Sequence, residues 1–246
     1  MSEPTILLVF VAALITALAT GLGALPLLAG RNVTTRWLGI GNAVAAGLML
    51  AACYSLIVEG FEFSPVRTLL GVLAGVALIL LANRWLKRHN GDHTIANLHG
   101  ADAGRALLII GIMTAHSAAE GVGVGVGYGG GRELGDFITI AIALHNVPEG
   151  LAIALIMVPR GATVLKAALW SIFSSLPQPL LAVPAFLFVL TFAPWLPVGL
   201  GLAAGAMLWM IFSELLPEAS SEMGNEGLGA VVVLAFAAML GVTLLI

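Results

Sequence analysis

His116-Ser117-Ala118-Ala119-Glu120-Gly121 and His145-Asn146-Val147-Pro148-Glu149-Gly150 are two versions of one pattern, each set in the middle of an apolar run. In both, an imidazole precedes a carboxylate by four residues, which puts the two groups on one face of a helix. The runs that hold them are long enough to cross a bilayer, so both pairs fall where the lipid is deepest. Ionisable groups there are costly and are retained chiefly for function. A polar network that glues a bundle would account for one such residue. Two repeats at matched depth point instead to a metal site inside a membrane.

The rest of the chain agrees. Of 246 residues, 60% are hydrophobic and 9% charged, against about 25% charged in soluble domains. An all-α integral membrane protein is the class this implies. The net charge of -3 comes with no basic stripe, so nucleic acid is not a partner; the lipid bilayer and metal ions are. Cys53 is the single cysteine, which excludes an intrachain disulfide framework and a cysteine-based zinc site. Met1-Ser2-Glu3-Pro4 carries no Lys or Arg before a long apolar run, which fits a first membrane helix better than a cleaved signal, and fits a bacterial inner membrane. A spanning helix needs about 20 apolar residues. Eight such spans are expected, at 5–29, 38–58, 66–86, 104–127, 135–158, 164–192, 196–217 and 227–246, in one transmembrane domain, 1–246. The sixth is long, and Pro177, Pro179 and Pro184 mark it as tilted or broken. No run alternates as a membrane β-strand would.

Charge sets the orientation. Arg31, Arg36, Arg84, Lys87, Arg88, Arg105, Arg160 and Lys166 fall on one side of the eight-span arrangement; of the ten basic residues only Arg67 and Arg132 fall on the other. Both termini are therefore expected outside the cytoplasm. The longest loop, about 87–103, is then cytoplasmic. It holds His89, His93, His99, Asp92 and Asp102, either as a solvated polar loop or as a weak metal-collecting one.

Spans 4 and 5, joined by a short loop, run antiparallel. Glu120 should then lie level with His145, and His116 with Glu149, so that four donors converge. Two carboxylates close together in low dielectric cannot both stay ionised cheaply, and a divalent cation neutralises both. With two imidazoles they form a borderline-soft set suited to zinc, iron or similar ions. Pro148 denies the carbonyl of Leu144 its helical partner, so a kink is expected beside His145. Span 4 has Ala119 at that position, and Gly121, Gly123, Gly125 and Gly127 offer a smooth packing face.

These residues, in this order, resemble the ZIP family of divalent metal transporters. The family pattern in span 4 is His-Asn-x-Pro-Glu-Gly with a related motif in span 5, and His145 to Gly150 match it closely. Residues 19–26, 45–51 and 214–219 agree as well. The resemblance covers almost the whole chain and implies a ZIP-like bundle of eight transmembrane helices with a binuclear centre between helices 4 and 5, helped by helix 6. Carried over by position, His116, Glu120, His145 and Glu149 correspond to a first metal position. Asn146 corresponds to part of a second, bridged by Glu120 and Glu149. Ser117, Ala119 and Gln178 depart from the pattern, replacing Asn, Pro and Glu; one strong site and a weak or absent second are therefore expected.

The resemblance implies movement of metal, zinc above all, toward the cytoplasm; Fe2+, Mn2+, Cd2+ and Co2+ suit the same ligands. Glu59, Glu62 and Asp136 could attract cations outside, and Glu214 is the best exit ligand near Glu218, Glu222 and Glu226. Alternating access around a fixed midplane site is the expected mechanism. Two rivals remain at this level. An intramembrane zinc-dependent hydrolase needs three ligands, an open position and a base, but no His-Glu-x-x-His is present and the two carboxylates stand in equivalent repeats, so no enzyme is expected. A non-conducting metal sensor would use the same ligands. The small-residue faces also permit a homodimer.

Overall fold

The computed structural model describes residues 4–28, 35–90, 103–158 and 161–242, and no strand occurs among the described residues. The α-helices are α1 (Ile6–Leu22), α2 (Thr35–Phe63), α3 (Pro65–Asn90), α4 (Ala103–Gly130), α5 (Arg132–Met157), α6 (Val164–Ser174), α7 (Pro177–Thr191), α8 (Leu196–Met210), α9 (Leu216–Glu222) and α10 (Asn225–Val242). A short 3-10 turn, Leu25–Leu28, follows α1, and a π-turn, Ile211–Leu215, joins α8 to α9. Six helical stretches among the described residues are long and apolar enough to cross a membrane: Ile6–Leu28, Arg36–Phe63, Arg132–Met157, Val164–Thr191, Ala193–Glu222 and Asn225–Val242. Helix α3 contributes a shorter apolar stretch, Pro65–Leu81.

Local chemistry starts and stops these helices. Thr5 and Thr163 cap α1 and α6, their hydroxyls accepting the Leu8 and Lys166 N–H groups at 3.2 Å. Between α4 and α5 the chain turns through Gly131 at φ 138°, a conformation open to glycine and strained for other residues. Pro177 begins α7, where a missing N–H costs nothing.

The described residues bear on three expectations in detail. The expected sixth span is two helices, interrupted at Ser175 and Leu176 just ahead of Pro177, while Pro184 lies inside a continuous α7. Helix α5 is continuous from Arg132 to Met157 with Pro148 inside it, so the proline does not end the helix. The broken segments of this bundle are therefore the α6–α7 junction and the π-turn after α8. Of the polar loop expected at 87–103, Lys87, Arg88 and His89 belong to the α3 backbone, whereas Asp92, His93, His99 and Asp102 lie outside the described residues, as do Arg31 and Arg160.

The helices pack mainly as α1 on α5, α4 on α5 and α7, α3 on α8, and α2 on α5, α8 and α10. Met49, Leu56, Ile138, Ile142, Phe186 and Met207 are fully buried between them, while Leu7, Leu70, Leu165 and Leu234 are exposed. An apolar exterior around a packed interior is what lipid surroundings demand. At Gly150 a Cβ would collide with the Thr20 carbonyl, so α1 and α5 meet backbone to backbone. Only alternate glycines of α4 share a face. Gly121 and Gly125 lie on the α7 backbone at Gln178 and Ala182, whereas Gly123 meets Met207 and Gly127 meets Ile138, because residues two apart on a helix point different ways.

Gly150→Ala should cost about 1–3 kcal/mol through overpacking and lower the melting temperature in detergent. Gly229→Ala, where nothing lies within 4 Å, should leave it unchanged or raise it.

Candidate metal centre

Helices α4 and α5 meet across a one-residue turn and run antiparallel. Near the turn, the Tyr128 hydroxyl donates to Asp136 Oδ1 at 2.6 Å. Two helical turns deeper, Glu120 Oε1 lies 3.2 Å from His145 Nε2. Glu149 is one turn farther along α5. Glu120, His145 and Glu149 each offer a ligand atom, and these atoms all lie within 4.8 Å of one another. Zinc bonds of 2.0–2.1 Å put tetrahedral donors about 3.4 Å apart, so a small inward movement of side chains would close the set on an ion.

The surroundings are dry. Relative exposure is 0% for Glu120, 4% for His145 and 5% for Glu149. Among the described residues no Lys or Arg is buried that could neutralise the two carboxylates. Glu120 Oε1, Glu149 Oε2, His145 Nδ1 and Asn146 Oδ1 are buried without a hydrogen-bond partner. Lone pairs left bare in such a place are costly. A divalent cation supplies what they lack.

The expected convergence of four donors takes a different form, three plus one. His116 is buried on the same cavity wall as His145 and Glu149, but its Nε2 shares a 2.6 Å hydrogen bond with Glu214 Oε2. Glu214 reaches it from the π-turn, whose extra residue per turn resets the facing of side chains after α8. The cavity, about 30 Å³, is also lined by Asn42, Met113 and Glu218; Asn42 Nδ2 donates to Glu218 Oε2 at 2.9 Å. Glu214 thus shares this cavity with His116, His145 and Glu149.

The residues of the expected second position fall on the other side of Glu120. Gln178 Nε2 donates to Glu120 Oε2 at 2.7 Å. Asn146 Nδ2 donates to the Thr16 carbonyl at 2.7 Å and to Gln178 Oε1 at 3.1 Å. Ser117 Oγ lies 3.5 Å from Ser175 Oγ, which pairs at 2.8 Å with the Thr20 hydroxyl. Near the α4–α5 turn, Asp136 is engaged by Tyr128 and by Arg132, whose Nε is 3.4 Å away. Sequence reasoning passed over Thr16 and Asn42. Thr16 carried a signal: with Thr20 it forms a pair of hydroxyls four residues apart on one face of an otherwise apolar helix. Asn42 gave none.

Comparison with known proteins agrees with this chemistry. A family model described as ZIP zinc transporter matches residues 86–246. The zinc transporter GufA of Myxococcus xanthus is 31% identical over 85% of this chain and 87% of its own length. The zinc transporter ZIPB of Bordetella bronchiseptica is 33% identical over 90% of this chain and 76% of its own. A provisionally named zinc transporter of Arabidopsis thaliana is 42% identical over 91% of this chain, which spans only 36% of that longer protein.

Glu149→Ala should weaken zinc binding by more than the roughly 10–100-fold that loss of an outer partner costs. Titration calorimetry on the purified protein in detergent reads this. Ser117→Ala, whose hydroxyl is turned toward Ser175, should bind close to the parent.

Proposed function

Because this chain belongs to the ZIP zinc transporter family, we propose that it carries divalent cations, zinc first among them, across a membrane toward the cytoplasm by way of the Glu120–His145–Glu149 cluster. The observation that carries this reading is the pair of buried carboxylates with bare oxygens beside an imidazole, and no buried basic side chain among the described residues. Mixed imidazole and carboxylate donors suit Zn2+, and also Fe2+, Mn2+, Cd2+ and Co2+, whereas Ca2+ and Mg2+ prefer oxygen alone.

The chain crosses the membrane eight times in this reading, with α6–α7 and α8–α9 each acting as one span. Both termini lie outside the cytoplasm, in keeping with the eight basic residues that fall on the inner side. A bacterial inner membrane is the setting. Cations approach past Glu59, Glu62 and Asp136 and bind at Glu120, His145 and Glu149, with His116 as a fourth ligand once its bond to Glu214 opens. They leave along the cavity lined by Glu214 and Glu218. One group of helices rocks against another around the fixed centre, so that it opens to one side at a time. The hinges are the α6–α7 break and the π-turn, where helical bonding is already interrupted. Asn146 and Gln178 hold Glu120 from its far side, and Ser117 sits beyond them.

Purified protein in sealed liposomes should take up zinc saturably, and Glu149→Ala should abolish uptake. Zinc binding with no uptake by the folded parent would overturn transport in favour of a non-conducting sensor. For orientation, alkaline phosphatase fused after Ile246 should be active in bacterial cells and a green fluorescent protein fused there dark; the reverse pattern overturns the assigned direction.

A further inference from the structure

The far side of Glu120 holds a chain of four groups whose orientations determine one another. It begins at the carbonyl of Thr16, which can only accept, so the 2.7 Å contact from Asn146 must come from the amide NH2. The same NH2 lies 3.1 Å from Gln178, which fixes that neighbour as Oε1. The Thr16 hydroxyl lies 2.6 Å from the same oxygen and 2.7 Å from the Ala13 carbonyl, with one proton to share between them, so it is the Asn146 NH2 that sets the orientation of the Gln178 amide. Gln178 is thereby turned with its own NH2 toward Glu120 Oε2, 2.7 Å away. Reversing the amide would set two NH2 groups against each other at Asn146 and two oxygens against each other at Glu120. Thr16, Asn146, Gln178 and Glu120 are all at 0% relative exposure, so bulk water offers no alternative partner. The Gln178 backbone is held close to α4, since at Gly121 even a Cβ would come within 2.6 Å of the Gln178 carbonyl oxygen.

Glu120 therefore has two unlike oxygens. Oε1 faces His145 and is bare, and Oε2 is capped by a neutral donor. We propose that the Gln178 amide, locked by Thr16 and Asn146, occupies the place beside Glu120 Oε2 that a second cation would need, so that this centre carries one ion at a time. A second ion would have to displace a hydrogen-bonded NH2 and would find the Gln178 oxygen already accepting from the Asn146 NH2. The inference rests on the metal-carrying reading of the same cluster.

The test counts ions. Full-length protein in detergent is dialysed to equilibrium against Zn2+, and the ions lost on the double substitution Glu120→Ala with Glu149→Ala are taken as the occupancy of this centre, free of any contribution from surface histidines. The parent should lose one. Gln178→Glu should bind one ion more than the parent, and the same double substitution in that background should remove two. A purely structural Gln178 would leave the count unchanged. Two ions lost from the parent, or no gain in Gln178→Glu, overturns the single-ion centre while leaving transport intact. No ion lost from the parent overturns the metal centre itself, and this inference with it. If Gln178→Glu does not fold, the parent's count alone decides.

Discussion

Negative charge taken out of water must be met by donors, protons or cations, and the arrangement around Glu120 and Glu149 follows from that requirement. The two carboxylates share a dry space between α4 and α5 with no buried basic side chain among the described residues. Helical backbone cannot help them, since its N–H groups are already bonded along the helix. What remains is His145 beside one oxygen of Glu120 and the neutral Gln178 amide on the other. These lessen the cost without cancelling the charge. A site left short of positive charge attracts a cation strongly, yet it must also release one if the cation is cargo. Neutral partners, unlike a salt-bridged lysine, leave room for both.

Close packing makes this arrangement reachable. Gln178 reaches Glu120, and Thr16 reaches Gln178 and Asn146, only because α7 and α1 approach α4 and α5 at backbone distance. Gly121 under Gln178 and Gly150 under Thr20 allow it. In lipid, where apolar side chains gain nothing by leaving their solvent, such small-residue contacts supply much of the cohesion between helices. The same glycines thus hold the bundle together and bring the polar groups to their work.

Much of this was legible in the residues. Apolar runs bounded by basic residues announced a helical membrane protein, and the four-residue spacing of His116 with Glu120 and of His145 with Glu149 singled out side chains of which the structure gathers Glu120, His145 and Glu149. The break ahead of Pro177 was foreshadowed by three prolines in one run. Other features depended on facts that no local pattern carries. Pro148 looked like a point of interruption, yet α5 continues as helix on both sides of it. His116 was matched with Glu149 by depth alone; its bond to Glu214 depends on a π-turn, which has no sequence signature comparable to a cap or a turn dipeptide. Thr16 and Asn42 matter through partners 162 and 176 residues distant, and separations of that size are set by the packing of whole helices.

The π-turn at Ile211–Leu215 makes chain length itself a constrained quantity at this point. A π-turn is a helix that holds one residue more than its hydrogen bonds need. Deleting a single residue between Met210 and Leu216 would restore a regular helix, which on grounds of helical regularity alone looks harmless. It would also rotate everything on one side of the deletion by about 100° and draw it in by about 1.5 Å. Glu214 or the buried face of α8 would then turn out of register with His116. In this segment a point substitution is a smaller change than an insertion or deletion, the opposite of the tolerance that surface loops show.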